Sequence, residues 1–113
     1  MRAGRYGRGR NVLYLRYTID TNKLSGFAEY ATREQILIRE SGGKILGYFL
    51  PTDFAGATGE AFGLIDFPSL AEYEIYRANL AAHPLHKRNA AKLEGTGALL
   101  SIQRSFDPAS GTG

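Results

Sequence analysis

Aromatic and cationic side chains on predicted strands are the residues of this sequence best suited to bind a small molecule. Tyr14 and Arg16 fall on the first predicted strand, Tyr48 on the second and Arg104 on the last. Phenol and guanidinium groups that face an enclosed cavity would suit a flat, partly aromatic ligand with an anionic or carbonyl group. Alternatively, the arginines form ion pairs across a subunit interface and the tyrosines pack in the core. The sequence leaves both interpretations open.

The pocket hypothesis makes its most specific prediction for the side chain of Arg16. In an enclosed pocket its guanidinium would lie near Tyr14 and Tyr48 and would have no carboxylate of the protein as an ion-pair partner. An anion or carbonyl oxygen of the ligand would then compensate the buried positive charge. In a structural role, Arg16 would instead pair with a glutamate or aspartate of the same or the facing subunit.

Other catalytic and cofactor signatures are weak or missing. His83 and His86 could share a helical face, but no third metal ligand accompanies them, and His83 equally fits a helix junction. No serine lies in a nucleophile elbow, the carboxylates are scattered, and no dinucleotide fingerprint occurs. The chain has no cysteine, which excludes disulfides and thiolate chemistry. We therefore expect no bound metal and no tightly bound cofactor.

Stretches of apolar residues between turn signals predict the elements that would position these side chains. Four strands are predicted, at Asn11–Ile19, 44–51, Glu60–Phe67 and 98–106. Helices are predicted at residues 23–41, from Ser69 to His83, and as a further helical piece at 84–93. Gly47 inside the second strand suggests a bulge or a close approach by another backbone.

Residues 60–84 carry the clearest local signals. Ser69 and Glu72 match a capping box, in which the Ser69 hydroxyl accepts from the Glu72 amide and the Glu72 carboxylate reaches back. Pro84 ends the helix, because it disfavours the α conformation at His83. The apolar stripe of this helix consists of Leu70, Tyr73, Tyr76 and Leu80.

The element order is β-α-β-β-α-β, the ferredoxin-like arrangement of an α+β domain with an antiparallel sheet. Its two helices cover one face of the sheet and leave the other uncovered. The second and third strands are apolar in both phases of the period-two pattern, so each favours burial on both sides. We therefore expect a homodimer in which two sheets pack face to face.

The length of 113 residues, with 43% hydrophobic and 22% charged residues, fits one soluble domain. Four arginines in residues 1–10 explain the net charge of +3, since the other ten basic residues face eleven acidic ones. The domain itself is thus near −1, and no nucleic-acid-binding face is expected. No apolar run is long enough to span a membrane and no signal peptide is recognisable, so the cytoplasm is the expected location.

Both ends of the chain look like tails around a domain at residues 11–106. Residues 1–10 are rich in glycine and arginine, and residues 107–113 read DPASGTG. We expect both to be disordered, because such short biased segments cannot bury a core. An RNA-contacting arm is the alternative for residues 1–10.

Four runs of the sequence resemble the NIPSNAP family: NVLYLRYTIDTNKLSGF, GGKILGYFLP, EAFGLIDFPSLAEYEIYRANLAAHP and LLSIQRSF. The resemblance covers residues 11–106. It implies a dimeric α/β barrel related in fold to the antibiotic-biosynthesis-type monooxygenases. Gly63 and Ile65 depart from the family pattern, in which a histidine and a tryptophan commonly stand at these places.

Two classes of function remain open. One is a small-molecule binder or cofactor-independent enzyme, analogous to the monooxygenases or to barrel dehydratases and isomerases. The other is a non-catalytic protein-interaction module. A cavity larger than roughly 300 Å³ with converging polar groups would favour the first class. A barrel filled by side chains, with a large exposed apolar patch, would favour the second.

Overall fold

The computed structural model describes residues 11–50 and 59–108, which form an α+β domain. Its strands are β1 (Asn11–Ile19), β2 (Lys44–Phe49), β3 (Glu60–Phe67) and β4 (Leu99–Pro108). Its α-helices are α1 (Leu24–Glu40), α2 (Leu70–Ala82) and α3 (Pro84–Thr96), with a short 3₁₀ helix at Thr21–Lys23 before α1. None of the helices in these ranges has the length and apolar character needed to cross a bilayer.

The four strands form one antiparallel sheet in the order β2-β3-β1-β4. This confirms the ferredoxin-like arrangement predicted from the element order. β1 is central, and its Leu15 lies between Gly63 of β3 and Arg104 of β4. β4 lies at the edge of the sheet and pairs only with β1 among the described strands. Its side chains are therefore accessible to solvent from the unpaired edge.

The helices cover one face of the sheet. Alternate β1 and β3 residues on that face are buried, as the period-two pattern requires. The largest fully buried side chains come from both layers and are Tyr17, Phe27, Ile38, Ile65 and Phe67. The other face of the sheet has no helix over it in the described part of the chain, and we call it the open face.

Gly47 lies at the predicted irregularity of β2. The pairing of β2 with β3 shifts register between Ile45 and Gly47, which is a bulge. Beyond the shift, Gly47 pairs with Leu64 and Tyr48 pairs with Gly63. The bulge therefore determines that Tyr48 faces the helices and that Phe49 lies on the open face.

The boundary between α2 and α3 follows from local chemistry. Ser69 caps α2 by accepting a hydrogen bond from the Glu72 amide at 3.1 Å, which is half of the predicted capping box. His83 is extended, at φ −73° and ψ 119°, as the residue before Pro84 should be. It accepts a hydrogen bond from the Leu85 amide through Nδ1 and so caps α3.

The structure extends two of the predicted elements. The piece predicted at residues 84–93 is a full helix that ends at Thr96, where Gly97 adopts a left-handed φ of 70°. β4 continues to Pro108, two residues beyond the predicted end, because Asp107 and Pro108 still pair with β1. The predicted tail at 107–113 therefore begins two residues too early, because Asp107 and Pro108 belong to β4. The rest of that tail, the predicted tail at 1–10 and the connection at 51–58 lie outside the described residues.

Removing the Ser69 cap should weaken the start of α2. We expect Ser69→Ala to lower the free energy of unfolding by about 1 kcal/mol, because the Glu72 amide loses its acceptor. Urea unfolding followed by circular dichroism would measure the change. Ser25→Ala is the matched control, since Ser25 is exposed in α1, and it should alter stability by less than about 0.5 kcal/mol. Equal effects of the two substitutions would contradict the assigned role of Ser69.

Candidate ligand-binding site

The structure does not bring the four predicted site residues together. Tyr14 and Arg16 lie on the open face, in the phase of β1 opposite to its buried residues. Tyr48 and Arg104 lie on the helix-covered face, opposite Gly63 and Leu15 respectively. The predicted set is thus divided between two sides of one sheet. Whether any of the four binds a ligand remains a prediction.

Arg16 has a carboxylate partner, contrary to the pocket hypothesis for this residue. Its Nη2 donates to Glu60 Oε2 at 2.7 Å, and both side chains are partly exposed. The expectation of an unneutralised guanidinium inside a cavity is therefore wrong. The ion pair joins β1 to β3 across the open face, which matches the structural alternative with a partner in the same chain.

A cavity of about 350 Å³ lies between the helix layer and the sheet. Residues from β1, β4 and all three α-helices line it. They are Leu13, Leu15, Tyr17, Tyr30, Glu34, Ile38, Tyr73, Tyr76, Arg77, Leu80, Ala81, His86, Ile102 and Arg104. Apolar side chains form most of the sheet side, and four phenols and four ionisable groups converge on the same space.

Tyr17 and Tyr48 form a hydrogen-bonded pair next to this cavity. Their hydroxyl oxygens are 2.6 Å apart, and either can donate. A side chain at position 63 would crowd Tyr48, because a Cβ there would lie 3.1 Å from its ring. Burial raises the pKa of both phenols well above its usual value, so both stay protonated.

Tyr30 and Tyr76 supply hydroxyl groups that are not used within the fold. Neither hydroxyl has a hydrogen-bond partner among the described residues. Burial raises the pKa of both phenols, and the nearby Glu34 adds to the effect while Arg104 opposes it. At neutral pH both groups are therefore neutral hydrogen-bond donors that line the cavity.

Two arginines lie at the accessible side of the cavity. Arg104 projects from the edge strand β4, and it forms no ion pair with the carboxylates at residues 11–50 and 59–106, whose side chains the structure describes. The Arg77 guanidinium lies 6.0 Å from the centre of the Tyr73 ring. That ring stacks on Phe106 with a centroid separation of 4.0 Å, which extends an aromatic surface to the edge of the sheet. The accessible side of the cavity therefore combines two guanidinium groups with an aromatic surface.

Glu34 is a buried carboxylate of α1 that two side chains of α3 contact. Asn89 Nδ2 donates to Glu34 Oε1 at 3.1 Å, and His86 Nδ1 lies 2.8 Å from Glu34 Oε2. The Glu34 side chain is 4% exposed and that of His86 is 26% exposed. Asn89 also donates to the Tyr30 carbonyl and accepts from Arg33, so its amide is fully used.

His83 and His86 have separate environments. His83 caps α3 through Nδ1, and its Nε2 lies 3.2 Å from Glu40 Oε1, which identifies it as the helix-junction residue considered above. His86 lines the cavity instead. Across the described residues, no group of three or more His, Asp or Glu side chains is placed to hold a metal ion.

Sequence reasoning missed most of the polar lining. The sequence did not indicate that Tyr30, Glu34 and Arg77 line a binding site, because a single polar residue on an amphipathic helix is ordinary. His86 was considered only as a partner of His83. The pairing of Glu34 with His86 joins positions 52 residues apart, and only the packing of α1 against α3 reveals it.

The antiparallel sheet, its single helix layer and the cavity between them define a ferredoxin-like α+β domain with an internal space of ligand size. The NIPSNAP family model matches residues 13–107, and the chain belongs to the NIPSNAP family. This confirms the resemblance seen in the sequence. A comparison with curated proteins found no match.

Solved structures share this fold. A NIPSNAP-like domain protein from Burkholderia xenovorans is 24% identical, with a TM-score of 0.70 over 88% of this chain and 84% of that one. A NIPSNAP family protein of unknown function from Agrobacterium tumefaciens is 16% identical, with a TM-score of 0.73 over 91% and 89%. A candidate antibiotic biosynthesis monooxygenase from Caulobacter crescentus is 13% identical, with a TM-score of 0.65 over 94% of each chain.

The buried phenols should make the fold sensitive to alkaline pH. Their raised pKa values mean that the folded state keeps protons that the unfolded state loses above about pH 10. Their contribution to stability is therefore present below that pH and is lost as the pH rises. We expect the free energy of unfolding to fall by up to about 1.4 kcal/mol per pH unit for each such phenol.

Tyr76→Phe tests this directly, because it removes one buried ionisable group whose hydroxyl has no partner among the described residues. Urea unfolding at several pH values should give a shallower alkaline slope for the variant and parallel curves between about pH 7 and 9. An unchanged alkaline slope would contradict the burial of this phenol.

Proposed function

We propose that this protein binds a small, flat, partly aromatic molecule with a carbonyl or carboxylate group, without a tightly bound cofactor, and that it does so as a homodimer. One observation carries the ligand proposal. A cavity of about 350 Å³ contains converging phenols, arginines, a carboxylate and an imidazole. Its volume is in the range of small-molecule sites, and its lining combines apolar walls with a few polar groups.

The polar groups favour an oxygen-rich ligand. Tyr30 and Tyr76 offer neutral hydroxyl donors, and Arg104 offers a guanidinium that is not in an ion pair with any carboxylate whose side chain the structure describes. Such donors suit a carbonyl or carboxylate oxygen. The rings of Tyr73 and Tyr76 offer aromatic faces to a flat ligand. Within the predicted set of site residues, Arg104 therefore keeps a binding role in this proposal and Tyr48 a supporting one, whereas Tyr14 and Arg16 belong to the open face.

The fold neighbours are compatible with this proposal but do not define a reaction. The candidate monooxygenase from Caulobacter crescentus shares the fold at low identity, and one fold can serve many chemistries. The alternative, a non-catalytic interaction module, would combine a filled interior with an exposed apolar patch. The open face provides apolar surface of this kind, whereas the cavity of about 350 Å³ favours a small-molecule ligand.

Arg104 should contribute strongly to ligand binding. We expect Arg104→Leu to weaken the binding of phenylpyruvate, a flat aromatic keto acid, by about tenfold or more, because a charged hydrogen bond to its oxygen atoms is lost. Isothermal titration calorimetry would measure the affinity. Arg39→Leu is the matched control, because Arg39 is exposed in the last turn of α1 and is not among the cavity residues.

Three outcomes of this titration would contradict the ligand proposal. The first is no binding of phenylpyruvate by the unmodified protein. The second is unchanged affinity in Arg104→Leu. The third is an equal loss in Arg39→Leu, since that result would reflect net charge instead of a specific contact.

The open face supports the homodimer part of the proposal. Its apolar side chains include Leu64 and the partly exposed Tyr14, Leu46 and Phe49, the last three each being 43% exposed. The charges in the centre of this face are paired, since Arg16 contacts Glu60. A second copy presents the same apolar surface and requires no complementary charge, and closed two-fold dimers are the commonest assembly.

Placing a charge on the open face should therefore disrupt the dimer. We expect the unmodified protein to sediment as a dimer at micromolar concentration and Tyr14→Asp to sediment as a monomer, because the carboxylate would be buried between two sheets. Ile36→Asp is the control, since Ile36 is 51% exposed on the helix layer. A monomeric unmodified protein would contradict the homodimer proposal, and so would a dimeric Tyr14→Asp variant.

A further inference from the structure

We propose that Glu34 and His86 form an acid–base pair that moves a proton to and from an enolisable carbonyl compound in the cavity, so that the site catalyses keto–enol tautomerisation. The inference rests on the proposed function, because the compound must first bind there. Beyond binding, the proposal assigns a reaction class to the site. His86 is the catalytic residue, and Glu34 is the residue that positions it.

The arrangement of the imidazole carries the inference. His86 Nδ1 is buried and lies 2.8 Å from Glu34 Oε2. Nε2 has no hydrogen-bond partner among the described residues, and the ring lines the cavity. Despite this short distance, Nδ1 and Oε2 are not aligned for a hydrogen bond, and hydrogen bonds of catalytic groups commonly form or tighten only when the substrate binds. A carboxylate at Nδ1 favours the tautomer with the proton on Nδ1, which leaves the lone pair of Nε2 as the base.

Glu34 is held in place for this positioning role. Asn89 donates to its Oε1 at 3.1 Å and is itself fixed by the Tyr30 carbonyl and by Arg33. One oxygen of the carboxylate is therefore occupied by the fold, and the other is directed to His86.

The same cavity contains groups that can stabilise an enolate oxygen. The hydroxyls of Tyr30 and Tyr76 remain protonated at neutral pH, because burial raises the pKa of both phenols. Arg104 adds a positive charge at the cavity. Preorganised donors around a developing oxyanion are a major source of rate acceleration.

The step conserves atoms and electrons. His86 Nε2 takes a proton from the carbon next to the carbonyl, and the C–H bond breaks. The electron pair of the C–H bond forms a C=C bond, and the π electrons of the C=O bond move onto the oxygen. The resulting enolate oxygen lies beside Arg104 and the phenols. The imidazolium then returns the proton to the oxygen to give the enol. The reverse sequence converts the enol to the ketone, and no oxidant or cofactor is consumed.

Phenylpyruvate provides the test, because its enol form is observable by ultraviolet absorbance and converts to the keto form. We expect the unmodified protein to accelerate this conversion. His86→Gln should lower kcat by about 100-fold or more. Glu34→Gln, which keeps an acceptor for Asn89, should lower kcat while leaving KM nearly unchanged. His83→Asn is the matched histidine control, since asparagine can still cap α3, and it should keep the full rate.

The outcomes separate this inference from the proposed function. Binding of phenylpyruvate without acceleration would overturn the acid–base role and leave the binding proposal standing. An unchanged kcat in folded His86→Gln would do the same, and Glu34→Gln gives an independent answer if His86→Gln does not fold. A loss in Glu34→Gln that appears only in KM would assign Glu34 to binding and overturn its positioning role. No binding of phenylpyruvate at all would overturn both proposals.

Discussion

The structure depends on the burial of one carboxylate between two helices. Glu34 is almost completely removed from solvent, and an isolated carboxylate in such a place would cost several kcal/mol. Asn89 and His86 offset this cost from α3. The contact requires α3 to lie alongside α1, and α3 can begin there only because the chain breaks at His83 and Pro84. Helix docking and the polar content of the cavity therefore have the same cause.

The two faces of the sheet have different chemistry. On the helix-covered face, phenols, arginines and the Glu34–His86 pair line a cavity beside the packed hydrophobic core. On the open face, a surface of apolar side chains surrounds one ion pair between neighbouring strands. Because successive residues of a strand alternate between faces, Arg16 and Leu15 contribute to these two environments from adjacent positions. The cavity and the open face can consequently change independently.

Local patterns in the sequence were sufficient to predict the fold but not the site. Capping at Ser69, the break at Pro84 and the alternation of β1 are decided by neighbouring residues, so the elements and their order could be predicted. The face occupied by Tyr48 depends on the bulge between Ile45 and Gly47, and that of Arg104 depends on its register with β1. Gly47 signals the bulge locally, but the exact register of β2 with β3 and of β4 with β1 depends on residues that are distant in the sequence. Period-two alternation separates Tyr14 and Arg16 from Tyr17, but it does not say which face contains a cavity.

The most direct test of the account is a crystal structure of the protein with bound phenylpyruvate. We predict that the aromatic ring lies among Tyr30, Tyr73 and Tyr76, with the ligand oxygens near Arg104 and the carbon next to the carbonyl near His86 Nε2. Ligand density on the open face beside Tyr14 and Arg16, with the space between helices and sheet closed by side chains, would contradict it.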